Sequence, residues 1–167
     1  KFKAGIHTVV FSEGFNSGTD YSTWTDPNWG NPTSNWYYDN GETYSSNTGP
    51  DGPYEGNGYV YTEASGNYNQ TMELTSPAFD ISNLGKPFLS FYYHMYGDDM
   101  GDLYVDVYDG STWHKGVWSK IGQQHSSKSS PWTRAMINLG PYAGPNTKIR
   151  FRGDVGSSYQ SDMSVDY

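Results

Sequence analysis

Between Leu89 and Val107 the chain reads LSFYYHMYGDDMGDLYVDV, and its apolar residues fall on every second position. Leu89, Phe91, Tyr93 and Met95 share one parity, and Ser90, Tyr92, His94 and Tyr96 share the other. Beyond GDDMG, Leu103, Val105 and Val107 alternate with Tyr104, Asp106 and Tyr108. A period of two belongs to a strand with one buried face and cannot serve an amphipathic helix. The stretch therefore reads as a central hairpin, with the aliphatic parity inward and the Asp98-Asp99 turn at the surface. TKIRFR (Thr147 to Arg152) repeats the pattern, with Ile149 and Phe151 opposed to Lys148, Arg150 and Arg152. Further strands are expected at His7 to Phe11, Asn35 to Asn40, Gly58 to Glu63 and Thr71 to Leu74. The same holds for Trp113 to Trp118, Trp132 to Leu139 and Met163 to Tyr167. Eight to ten short strands divided by Gly/Pro turns indicate an all-β fold, a sandwich or a jelly roll, and the expectation is a two-sheet antiparallel β-sandwich of jelly-roll topology.

Composition agrees with this and removes several functions. The 167 residues fit one domain with one core. Sixteen tyrosines, six tryptophans and twenty glycines favour strands and turns, and rings that keep a wet edge. The absence of cysteine excludes disulfides and thiolate metal sites. No run of about 18 apolar residues exists to insert as a membrane helix. A formal net charge of −8 opposes nucleic-acid binding through phosphates. The charge is uneven, however: residues 1–110 hold 15 of the 18 acids, whereas residues 111–152 hold none and seven of the ten lysines and arginines. The chain stops directly after an alternating run, so residues 1–167 read as one domain cut from a longer protein.

Three groups of residues invite a chemical role. His94 lies near Asp98, Asp99 and Asp102, as a general base and its orienting acid would. It also lies inside a strand, and the acids stand where a turn wants Asp and Gly, so a structural, locally hydrogen-bonded histidine is the better reading. His7, His114 and His125 are scattered and form no zinc pattern. The second group is the aromatic loop from Asn16 to Tyr54, in which Trp24, Trp29, Trp36 and Tyr38 are candidates to stack on sugar rings beside Asn, Asp and Glu partners. The competing reading makes half or more of these rings the loop's own small core. The third group is the row Lys148, Arg150 and Arg152, which points one way from one strand and suits an acidic or sulfated polysaccharide. Its competitor is charge balance with Asp102 and Asp106 on another strand.

At this point the chain resembles a known family. TGPDGPYEGNGYVYTEAS (Thr48 to Ser65), LSFYYHMYGDDMGDLYVDV and SDMSVDY (Ser161 to Tyr167) are similar, in order, to successive blocks of the MAM domain. Trp113, Trp118 and Trp132 followed by AMINL resemble its later block, and FRGDVGSS resembles the segment before its last strand. Animal members carry paired cysteines; their absence points to a bacterial or otherwise divergent branch. Where the family often has Asp-His-Thr after Gly-Pro, this chain has Asp51-Gly52-Pro53-Tyr54-Glu55. The resemblance implies a non-catalytic recognition or adhesion module of a secreted or cell-surface protein. It also implies one structural cation, calcium or another, near the first and last strands, held by Glu13, Asp51 and Asp166. The expected function is polysaccharide binding beside a secreted enzyme. The alternative is a protein–protein adhesion or spacer module, for example beside a peptidase.

Overall fold

The computed structural model describes residues 8–17, 23–25 and 36–167. Among these, nine strands form two sheets in which every pairing is antiparallel. The strands are β1 (Trp36–Asp39), β2 (Tyr59–Thr62), β3 (Thr71–Thr75), β4 (Phe88–Met95), β5 (Asp102–Tyr108), β6 (Trp113–Ile121), β7 (Thr133–Asn138), β8 (Lys148–Asp154) and β9 (Met163–Asp166). The first sheet has the order β1-β2-β9-β4-β7 and the second β3-β8-β5-β6. Crossovers between non-consecutive strands produce a jelly-roll sandwich.

The inner layer follows the parity of the sequence. Phe91, Tyr93, Val60 and Val165 face inward from the five-stranded sheet, and Leu103, Val105, Val107, Ile149 and Phe151 from the other; all are buried. Phe91 sits at the centre, edge-on to Phe151 at 5.0 Å and to Trp118 at 5.1 Å between ring centroids. Apart from the half-buried Trp118, more than nine-tenths of each of these side chains is removed from water, and burial is the main stabilising term.

Two expectations about connectivity change. The GDDMG turn does not close a hairpin. β4 pairs with β7 and β9, while β5 pairs with β6 and β8, so the chain arches from one sheet to the other. Gly97 makes the arch possible: its φ of 153° suits glycine, and a Cβ there would strike the Gln160 carbonyl. Alternation tells which side chains are buried but is identical for a hairpin and an arch. The expected first strand also differs. Thr8 to Phe11 joins no ladder, Val9 and Val10 are exposed, and Phe11 stacks on Phe79 at 5.5 Å; His7 lies outside the described residues.

Candidate functional site

The outward parity of the four-stranded sheet carries Tyr104, Asp106 and Tyr108 from β5 and Lys148, Arg150 and Arg152 from β8. Register places Tyr104 opposite Arg152, Asp106 opposite Arg150, and Tyr108 opposite Lys148. Asp106 is fully buried and gathers the cations. Its Oδ2 accepts from Arg150 Nη2 at 2.7 Å, Arg150 Nε at 3.0 Å and Arg152 Nε at 3.1 Å. A bulge in β6 opposite Asp106 brings the Gly116 N–H to Oδ1 at 2.7 Å. Burial pushes the Asp106 carboxyl up, but Arg152, the Gly116 N–H and Arg150 together hold it below the usual aspartate range. Glu73 pairs with Arg150 at 3.3 Å and Asp154 with Arg152 at 3.1 Å. Among the described residues Lys148 makes no ion pair.

Aromatic rings complete this face. The Arg150 guanidinium lies 4.2 Å over the Trp113 ring, and that of Arg152 lies 4.2 Å over Tyr104. Trp113 contacts Tyr108 at 5.4 Å, and Lys148 Nζ sits 5.9 Å from the Tyr108 centroid. Tyr104, Tyr108 and Trp113 are half-buried, so each keeps part of its ring open. The basic row is thus charge-balanced, through Asp106 as the competing reading held but with Glu73 and Asp154 instead of Asp102, which accepts from the Tyr104 hydroxyl and the Gly122 N–H. What remains is a nearly neutral surface of fixed rings and hydrogen-bonding groups. Parity had placed Tyr104 and Tyr108 outward; the part taken by Trp113 depends on the bulge and had no local signal.

The outward parity of the five-stranded sheet is largely roofed. The 40–57 and 122–132 segments cover Tyr59, His94, Ser164 and Asp166, all fully buried. His94 stacks on His125 at 4.2 Å, and Trp132 packs on Tyr59 at 5.6 Å and on His94 at 5.7 Å. Neither His94 nitrogen has a hydrogen-bond partner. Desolvation, then the nearby His125, lower its pKa to about 4. It is structural, as expected, stacked on His125 beneath the roof, and no substrate can reach it. His125 Nδ1 accepts the Met95 N–H at 2.9 Å and Nε2 meets Thr133 Oγ1 at 3.1 Å, which ties the roof to β4 and β7.

The aromatic-loop candidates separate sharply. Trp24 and Trp36 belong to the core, stacked or tilted against Phe151, and offer no ring face to a sugar. Tyr38 is half-buried and its hydroxyl donates to the Asn57 carbonyl at 3.1 Å. Trp29 lies outside the described residues. The three proposed cation ligands do not gather: among the described residues no group of three His, Asp or Glu side chains is placed to hold a metal. Glu13 accepts the Phe15 N–H at 3.0 Å, and Asp51 is exposed. Asp166 accepts the Tyr54, Glu55 and Tyr167 N–H groups at 2.8, 3.2 and 2.6 Å. Its bond to Tyr54 and Glu55 fixes the Asp51-to-Glu55 stretch to β9.

Strand order and pairing define a two-sheet antiparallel β-sandwich domain. A family model described as "MAM domain, meprin/A5/mu" matches residues 14–167. The chain belongs to the MAM domain family, whose members are non-catalytic modules of extracellular and cell-surface proteins. It is 36% identical over 138 residues to MAM domain-containing protein 2 of Homo sapiens, covering 80% of this chain and 19% of that protein. The chain thus spans about a fifth of that relative. In fold it is similar to the K1 cleaved adhesin domain of Lys-gingipain from Porphyromonas gingivalis W83, with a TM-score of 0.66, 15% identity and 95% of each chain covered. It is also similar to TmCBM61 in complex with beta-1,4-galactotriose, with a TM-score of 0.54, 16% identity and coverage of 92% and 90%. Among the described residues no helix is long and apolar enough to cross a membrane.

Proposed function

We propose that this chain is a non-catalytic carbohydrate-binding module of a secreted protein, and that a glycan lies across the outward face of the four-stranded sheet. The observation that carries the reading is the set of half-open rings Tyr104, Tyr108 and Trp113, held in place by Arg152, Lys148 and Arg150. Rings fixed in advance lose little freedom when a sugar stacks on them. Because Asp106, Glu73 and Asp154 neutralise the arginines, the face suits a neutral, hydroxyl-rich polysaccharide better than a sulfated one. A glycan-bound neighbour of the same fold supports the capacity of the scaffold for this task. Attached to an enzyme, such a module raises the local concentration of its polymer substrate.

Affinity electrophoresis through gels containing neutral and sulfated polysaccharides tests this. Retardation by a neutral polymer is expected, and Trp113→Ala or Tyr104→Ala is expected to weaken it roughly tenfold or more. Retardation only by sulfated polymers would move the specificity to acidic glycans. No retardation on any polymer removes the reading and leaves protein adhesion as the function.

A further inference from the structure

β6 and β7 are each an edge strand of one sheet, and the two edges are built differently. β6 is blunted by its bulge, by Gly116 at a φ of 63° and by Lys115 and Lys120. These are the usual devices against strand-to-strand pairing. Among the described residues β7 pairs with β4 alone, in an unbroken register. Leu139 N–H donates to the Pro87 carbonyl at 2.9 Å, one step beyond the Asn138–Phe88 pair. Odd-numbered residues therefore turn their main-chain groups toward β4, and Arg134, Met136 and Asn138 turn theirs to the open edge. Met136 is 57% exposed, and among the described residues the outward main-chain groups of Arg134, Met136 and Asn138 bond to no other strand.

We propose that β7 pairs antiparallel with β7 of a second copy of this chain, about a two-fold axis at Met136. That register sets Met136 opposite itself and Arg134 opposite Asn138, so the groups that meet are those turned outward. On the core side it sets Ala135 opposite Ile137, small against large. On the outward side no like charges meet, whereas a register shifted toward Arg134 brings that side chain up to its own copy. The ten strands then form one continuous sheet, with corresponding faces of both copies on the same side. Two candidate recognition faces would point the same way and could grip one polymer with avidity. This consequence rests on the glycan reading; the pairing itself does not. A single six-residue ladder buries less than a standard interface, so the dimer is weak.

Sedimentation equilibrium over a wide concentration range, without glycan, tests the pairing. Reversible dimerisation is expected. Asn138→Arg sets two like-charge pairs across the axis and should raise the dissociation constant roughly tenfold or more. Adding Arg134→Glu to it should restore the dimer, because each pair then becomes opposite in charge. Met136→Lys, whose side chain is exposed, is the second disrupting variant, with thermal unfolding as the folding control. A chain monomeric up to the highest attainable concentration overturns the proposal. So does a dimer indifferent to both disrupting variants, and failure of the double variant to recover overturns the register.

Discussion

The two outward faces of the sandwich handle polar side chains in opposite ways. On the four-stranded sheet, Asp106, Arg150 and Arg152 satisfy one another and hold three rings at the surface. On the five-stranded sheet a roof of loops buries His94, Ser164 and Asp166, and leaves both His94 nitrogens and the Ser164 hydroxyl without partners. A satisfied network next to water is available for recognition. A sealed layer with orphaned polar atoms is a structural cost that only packing offsets. Function is therefore sought on the open face and along β7, and stability in the roof.

The largest effect should come from Asp106→Ala. Two arginines would lose their common acceptor, for a loss of about 3–5 kcal/mol in denaturant unfolding. A loss below about 1 kcal/mol would show that the network is not what orders this face. The next effect is one of pH. Burial, then repulsion from Glu63, raise the Asp162 carboxyl to about 7 from 3.8. The unfolded chain ionises first, so the stability given by the neutral buried acid is full below 3.8 and is lost as pH rises to about 7. Asp162→Asn removes that loss, so its melting temperature relative to wild type should climb between pH 4 and pH 7. A pH-independent difference would sink this account. His94 acts in the reverse sense: its contribution is present above 6.5 and is lost as pH falls toward about 4.

Trp132→Ala should cost about 2 kcal/mol by loosening the roof over Tyr59 and His94, and should leave glycan retardation unchanged. If retardation disappears instead, the recognition face has been assigned to the wrong side of the sandwich. Lys148→Ala is the smallest change, within about 0.5 kcal/mol in thermal unfolding. Its ammonium is paired with no acid among the described residues, and the Asp106 network should survive without it.

Most strands were legible in the residues. The alternations at Phe88–Met95, Asp102–Tyr108 and Lys148–Asp154 name their own buried faces, and blocks spread along the chain carry the family resemblance. The site was legible only in part. Parity placed Arg150, Arg152 and Asp106 outward but could not tell a free cationic row from a balanced one, because balance depends on which strand lies alongside. The tryptophans misled for a related reason. In a loop poor in aliphatics, Trp24 and Trp36 are the residues with enough apolar area to fill the core, and nothing local distinguishes that task from sugar stacking.

Sequence alone determined the class of architecture, since a period of two over many short segments can be buried only by layering sheets, and it determined which side of the alternating strands faces the core. Tertiary structure decided which strands become neighbours: that GDDMG arches between sheets, that Asp106 meets both arginines, that loops seal His94, and that β7 is left as an edge. Side-chain parity is a property of consecutive residues. Pairing, roofing and edge exposure are contests among segments far apart in the chain, settled by the total area buried and the polar groups satisfied.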